Sequence, residues 1–354
     1  MGLKILHSAD WHLDSAFVGF SEEQHACLKA EQKAIPGKIT DLCIRENCDL
    51  MLLAGDIFDG KPSRETVELV KKELARSEVP VLISPGNHDF CAIDSLWLEE
   101  NWPENVFVFA GGLESVTIAG LNCRIYGAAF KSMDCESLLE DFQAEGQERY
   151  RIAVLHGDPT QTGSSYNPVT AAQVRNSKLD YLALGHIHKA GGFRVGKTLC
   201  AWPGCPMGRG WDETGEKGVC IVTLEETAQV QPICLDTIRF YQLEADVSDD
   251  AEAVLEELLP GGGSRDFFRI DLTGSAEVNL ALLQKQFANC PNLELRDQTQ
   301  EPMDLWGDLD EDSLEGIYFQ MLHNAMEENP DLESTVRLAA EISRKLLSGR
   351  EVVL

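Results

Sequence analysis

Residues 50–59 read Leu50-Met51-Leu52-Leu53-Ala54-Gly55-Asp56-Ile57-Phe58-Asp59, an apolar run of strand length that breaks on a glycine and two carboxylates. Four more apolar runs end in the same way. Leu3 to Ala9 leads into Asp10-Trp11-His12, and Val79 to Pro85 into Gly86-Asn87-His88-Asp89. Ile152 to Leu155 leads into His156-Gly157-Asp158, and Tyr181 to Leu184 into Gly185-His186-Ile187-His188. Between the early runs lie helical patterns. Arg64 to Arg76 places Val67, Val70 and Leu74 on one face, and Glu22 to Glu46 is a helical region with Pro36-Gly37 as a candidate interruption. Strand, helix and strand in alternation predict a largely parallel sheet covered by helices. In such a sheet the carboxyl ends of neighbouring strands converge on one crevice, where ligands bind.

The residues that would reach this crevice are of one chemical kind. Five of the eight histidines lie in the polar clusters, together with aspartates and the amide of Asn87. In an extended segment, residues i and i+2 point the same way, so Asp10 with His12, or His186 with His188, can present two ligands to one cavity. A glycine before Asp56, Asn87 and His186 removes a Cβ where the chain turns sharply. Carboxylate, amide oxygen and imidazole without thiolate suit Mn²⁺, Fe or Zn²⁺ and argue against a structural zinc site. A pair of ions is expected, with Asp56 as the natural bridge. Two ions roughly 3.5–4 Å apart clamp a phosphate and activate a water, so the expected reaction is phosphoester hydrolysis, with His88 placed to steady the developing charge or protonate the leaving oxygen.

The rest of the chain frames this centre. Segments 105–130 carry short strands separated by Gly111-Gly112 and Gly120-Leu121-Asn122, so the sheet is mixed or there are two. A boundary is expected near 226–240, then a small α+β pattern, the acidic linker Asp304 to Asp312 and two amphipathic helices. The apolar positions of those helices are Leu314, Ile317, Tyr318, Met321 and Leu322, then Val336, Ala339, Ile342 and Leu346. The eleven cysteines contain no C-x-x-C and read as reduced thiols. No apolar run approaches the ~18 residues of a membrane span, and no leader pattern precedes Leu3, so a cytoplasmic protein is expected. Thirty Lys and Arg against 59 Asp and Glu give a net charge of −29, which repels nucleic acid and membranes alike. Between Gln161 and Gly210 the sign reverses, with Asp180 alone against Arg175, Lys178, Lys189, Arg194, Lys197 and Arg209.

The motifs D-x-H, G-D-x-x-D, G-N-H-D, H-G and G-H-x-H, in this order over residues 3 to about 190, resemble the calcineurin-like metallophosphoesterase superfamily. Ile5-Leu6-His7-Ser8-Ala9-Asp10-Trp11-His12-Leu13-Asp14 and the stretch from Gly208 to Gly218 are similar to its DNA repair exonuclease (SbcD/YhaO-like) branch, as more faintly is Leu347 to Val352. The resemblance implies an α/β fold: a four-layer αββα sandwich over residues 1–235, an α+β capping domain over 236–300, and the linker with C-terminal helices over 301–354, a candidate partner-binding segment. It implies that Asp10, His12 and His188 hold one metal, that Asn87, His156 and His186 hold the other, that Asp56 bridges, and that His88 is the catalytic histidine. It further implies a Mn²⁺-dependent DNA exonuclease, also a single-strand endonuclease in some relatives, that acts in DNA repair with an SMC-like ATPase; a homodimer is a further expectation. Arg209 is the expected phosphate contact, and Trp11 and Tyr166 are candidates for stacking on bases. Two competing readings are a phosphatase or phosphodiesterase for nucleotides and other small phosphoesters, which suits the acidic charge, and a catalytically silent scaffold subunit.

Overall fold

The computed structural model describes residues 2–259, 265–300, 305–307 and 313–347. The linker stretch 304–312 therefore lies largely outside the described residues, as does the segment after Leu347. In chain order the elements are β1 (Leu3–Ser8), α1 (Glu22–Arg45), β2 (Leu50–Leu53), α2 (Arg64–Arg76), β3 (Val81–Ile83), α3 (Leu96–Glu99), β4 (Val106–Val108), β5 (Glu114–Ile118), β6 (Cys123–Gly127), β7 (Tyr150–His156), α4 (Ala171–Asn176) and β8 (Tyr181–Gly185). They continue with β9 (Gly191–Val195), β10 (Thr198–Trp202), β11 (Gly218–Leu224), β12 (Ala228–Cys234), β13 (Arg239–Asp246), α5 (Ala251–Leu258), β14 (Asp266–Thr273), α6 (Leu280–Gln286), β15 (Leu293–Asp297), α7 (Leu314–Glu328) and α8 (Glu333–Leu347). No described helix is long and apolar enough to cross a membrane.

The chain divides into two compact units, residues 1–242 with 263–268, and residues 243–262 with 269–354. The first holds two six-stranded sheets, in the orders β12-β11-β1-β2-β3-β4 and β5-β6-β7-β8-β10-β9. In the first sheet β1 to β4 run parallel, β11 is antiparallel to β1, and β12 is antiparallel to β11. In the second, β6, β7, β8 and β10 run parallel, with β5 and β9 antiparallel at the edges. The hairpin-like segments after residue 105 thus separate: β4 completes one sheet and β5 opens the other.

Period-two alternation of strand side chains builds the layers. Ile5, Leu50, Leu52 and Leu82 meet Ile125, Ile152, Val154 and Tyr181 between the sheets. Leu6, Met51, Leu53, Val81 and Ile83 face the opposite way, onto Leu28, Ile35, Ile39 and Leu42 of α1 and Val70 and Leu74 of α2. Leu155, Leu182 and Leu184 turn outward with Val174 of α4. The four-layer αββα sandwich follows. His7 crosses the central layer. Its Nε2–H donates to the Leu184 carbonyl (3.1 Å) and its Nδ1 accepts from the Tyr181 hydroxyl (2.7 Å). Burial holds this imidazole neutral, its pKa lowered to about 3.

Three expectations need correction. Helix α1 runs unbroken through Pro36, which is buried with Ile35 and Ile39; packing of that face outweighs the single backbone bond that proline removes. The boundary expected at 226–240 contains β12, and Glu225 and Glu226 occupy its hairpin with β11. The apolar stripe read on α7 is not its buried face. Gly316 and Phe319 are buried, whereas Leu314 is 89% and Met321 67% exposed. The second unit contains helices α5 to α8, and its buried side chains include Val247, Leu255, Ile270, Leu272, Leu283 and Leu295. All eleven cysteines are free thiols.

At the floor of the crevice Gly185 faces the end of β2, and a Cβ there would overlap the Ala54 carbonyl oxygen and come within 2.9 Å of Ala9 Cβ. Gly185→Ala should therefore destabilise the first unit by about 1–3 kcal/mol through overpacking. Urea unfolding should show a lower midpoint at unchanged slope; an unchanged midpoint would mean that the two strand ends are not held this closely.

Candidate metal centre

Polar side chains gather where the parallel strands of both sheets end. Asp10 and His12 follow β1, Asp56 follows β2, and Asn87 and His88 follow β3. His156 closes β7, and His186 and His188 follow β8. Four of these residues lie in the left-handed region, Asp10 at φ 56°, His12 at 45°, Asp56 at 53° and His186 at 89°. For a residue with a Cβ this conformation costs roughly 1–2 kcal/mol, so the surroundings must enforce it. They do so by backbone bonds between the first two loops, Asp10 N–H to Gly55 O (3.0 Å), His12 N–H to Asp56 O (2.9 Å) and Leu13 N–H to Ile57 O (2.9 Å). Buried Asp89 ties in the third loop, accepting from Gly86 N–H (2.8 Å), Ile57 N–H (2.8 Å) and Phe58 N–H (3.2 Å). Gly55, itself at φ 88°, leaves no room for a side chain, since a Cβ would lie 2.6 Å from His156 Nδ1.

Among the described residues four groups of ligand atoms lie within 4.8 Å: Asp10, His12 and His188; Asp10, Asp56 and His156; His12, Asp56 and His88; and His188, Cys205 and Glu213. His12 Nε2 and His188 Nε2 face each other at 3.1 Å. Asn87 Oδ1 lies 2.9 Å from His156 Nε2 and 3.3 Å from His186 Nδ1. Asp56 Oδ2 stands between the first two groups, 3.6 Å from His12 Nε2 and 3.3 Å from His156 Nε2. The structure thus brings every expected ligand into one place, with the ligand atoms of both sheets turned toward each other.

Electrostatics shows what the arrangement lacks. Burial pushes the Asp10 carboxyl above its ordinary value, against the attraction of His156 and His188. Burial also opposes ionisation of Asp56, but the charge and hydrogen bond of His156, with His12 behind them, hold that carboxyl well below the usual range. His156 is pushed up to about 9 because Asp56 and Asp10 outweigh its burial, while His186 falls to about 4 under burial and the charge of His156. Asp89 is pushed up to about 7 by burial and by Asp56. Buried His12 Nδ1 has no hydrogen-bond partner among the described residues. Clustered buried carboxylates, converging imidazole nitrogens and an amide oxygen fit divalent cations with nitrogen and oxygen preference.

The other expected residues are placed as follows. His88 sits at the rim with 41% of its side chain exposed; its Nδ1 is 2.8 Å from Asp59 Oδ1, and its backbone N–H donates to Asp56 Oδ1 (2.9 Å). Arg209 does not present its fork outward: Nε and Nη2 donate to Glu213 at 3.1 and 2.5 Å. Trp11 is buried and donates to Ser8 Oγ (2.8 Å), so it packs, and the Tyr166 ring lies against His186 at 4.8 Å between centroids. Asp158 accepts from Thr160 and Gln161 and shapes its own turn. Sequence reading missed Glu213, which is 5% exposed and accepts from His188 Nδ1 (2.7 Å). Its signal was present in the Gly208–Gly218 stretch, as a carboxylate four residues after Arg209.

A family model described as calcineurin-like phosphoesterase matches residues 3–190. The chain is 33% identical over 236 residues to the uncharacterized metallophosphoesterase YhaO of Bacillus subtilis, a stretch covering 62% of this chain and 57% of that protein, so less than two thirds of YhaO is spanned. It is 22% identical over 309 residues to SbcD, a component of the nuclease SbcCD, from Staphylococcus epidermidis, covering 78% of this chain and 80% of that one. The SbcD protein of Bacillus subtilis is 24% identical over 283 residues, covering 66% and 70%. Because the family match takes in more than half of the molecule, including all the strand ends that meet in the crevice, the chain belongs to the calcineurin-like phosphoesterase family.

Proposed function

We propose that the protein is a two-metal phosphodiesterase that degrades DNA from an end, with Mn²⁺ as its metal, Fe or Zn²⁺ being the other candidates. One position would be held by Asp10, His12 and His188, the other by Asn87, His156 and His186, with Asp56 shared. The observation that carries this reading is Asp56 Oδ2 lying 3.6 and 3.3 Å from imidazole nitrogens of the two groups. Bound there, a pair of divalent ions supplies Lewis acidity and an activated water. The chain's own residues supply the rest. His88, at the rim within reach of His12 and Asp56 and held through Nδ1 by Asp59, would give a proton to the leaving oxygen.

Nuclease specificity, a role in DNA repair and an SMC-like ATPase partner are supported by the similarity to SbcD components of the SbcCD nuclease. On this reading residues 1–235 are the catalytic domain, 236–300 cap it and 301–354 bind the partner. The outward apolar side chains of the last two helices support that assignment, since Leu314, Tyr318, Leu346 and Leu347 line a cleft of about 470 Å³. The protein would act in the cytoplasm.

A second reading, hydrolysis of nucleotides or other small phosphoesters, is favoured by the charge of −29 and by the fate of the basic stretch. Lys197 pairs with Asp180, Arg194 with backbone carbonyls and Arg209 with Glu213, which leaves fewer cations for a phosphate backbone.

Asp10→Ala should abolish hydrolysis and lower bound metal, whereas His88→Asn should keep the metal and lower kcat by about 10²–10⁴-fold; wild-type digestion by purified Asp10→Ala protein would refute the site. With Mn²⁺ at low salt, single- and double-stranded oligonucleotides should be shortened progressively, alone or with the ATPase. Turnover of bis-p-nitrophenyl phosphate with no loss of either DNA would establish the second reading instead.

A further inference from the structure

The two ion positions differ in what stands behind their histidines. Each ligating imidazole must present a lone pair inward, and the partner of its other nitrogen decides whether it does. On one side His156 Nδ1 donates to the neutral Ala54 carbonyl at 2.8 Å, and the His186 ring has the Tyr166 ring against its face. On the other side His188 Nδ1 donates to the charged Glu213 Oε1 at 2.7 Å, while buried His12 Nδ1 has no hydrogen-bond partner among the described residues. A carboxylate and a carbonyl both only accept, so both fix the Nδ1–H tautomer and free Nε2. Only the carboxylate also adds negative charge to the imidazole, which raises its strength as a ligand.

The surrounding loop is built to hold Glu213 in that role. Arg209 donates to Glu213 from its backbone N–H (2.9 Å), from Nε (3.1 Å) and from Nη2 (2.5 Å). A loop staple would need only this arginine and this glutamate. Here the same Oε1 also receives His188, and Arg209 Nη2 stands 3.3 Å from His188 Nδ1. The backbone is held as well: Cys205 N–H donates to His188 O (3.2 Å), and Gly204, at φ 75°, passes so close that a Cβ would lie 2.6 Å from that oxygen. His188 is therefore gripped at both its imidazole and its carbonyl by residues 204–213.

We infer that Glu213, clamped by Arg209, is a positioning residue that makes the ion position of Asp10, His12 and His188 the tighter of the two, leaving that of Asn87, His156 and His186 to exchange. The inference rests on the two-ion reading above. It predicts a protein that retains one ion through dilution or mild chelation and recruits the second only when free metal is abundant.

The test is titration of the metal-free full-length protein with Mn²⁺, followed by calorimetry and by the electron paramagnetic resonance signal of coupled manganese pairs. The unaltered protein should take up two ions with distinguishable affinities. Glu213→Gln, which keeps the shape and removes the charge, should weaken the tighter step by about 10–100-fold and leave the weaker step in place. The coupled-pair signal should then appear only at higher Mn²⁺. Arg209→Met should do the same to a smaller extent and serves should Glu213→Gln not fold; His156→Ala should remove the weaker step and keep the tight one. Unchanged affinities in both clamp variants, or equal loss of both steps, would overturn the inference. Uptake of fewer than two ions by the unaltered protein would instead overturn the two-ion reading itself.

Discussion

Two carboxylates, Asp10 and Asp56, are almost wholly buried within a few ångströms of the imidazoles of His12, His88, His156 and His188. Removing like charges from water is costly unless opposite charge accompanies them, and among the described residues no lysine or arginine pairs with either acid, only histidines. Much of the architecture serves this one demand. Parallel strands deliver the acids and imidazoles from two sheets, the left-handed turns aim them, and the carboxylate of Asp89 fixes the turns from beneath. Such a cluster of buried acids and imidazoles fits divalent cations.

How much of this could be read from the sequence depended on the range of the interactions. The strand ends were legible because each is local: an apolar run, a glycine and polar residues at spacing two. The layered fold was legible through the same strands and through helix α2, whose Val67, Val70 and Leu74 are buried as expected. What failed was long-range or marginal. The spacing of Arg209 and Glu213 was visible within Gly208–Gly218, but not that the pair closes on His188, which lies in a distant stretch of the chain. The stripe on α7 misled because apolar side chains are compatible with either face when a helix packs through a glycine and a single phenylalanine. Strand β12 went unnoticed because its exposed glutamines and its acidic turn resemble a linker.

The electrostatic character of the molecule is divided. Globally it is strongly anionic, and several of its basic side chains are committed to internal partners. Attraction for a polyanion must then be concentrated at the metals or supplied by another protein, and salt should act on encounter more than on chemistry.

The hydrogen bonds of His7 matter beyond their energy. Contacts between aliphatic side chains resist separation of two sheets but only weakly resist sliding, since one methyl group serves nearly as well as its neighbour. His7 bonds both the Tyr181 hydroxyl and the Leu184 carbonyl across that slippery layer, and each bond has a direction. It works as a dowel: because Asp10, His12, Asp56 and Asn87 ride on one sheet and His156, His186 and His188 on the other, pinning the lateral alignment of the two slabs also sets the calibre of the polar pocket a few residues farther along the same strands.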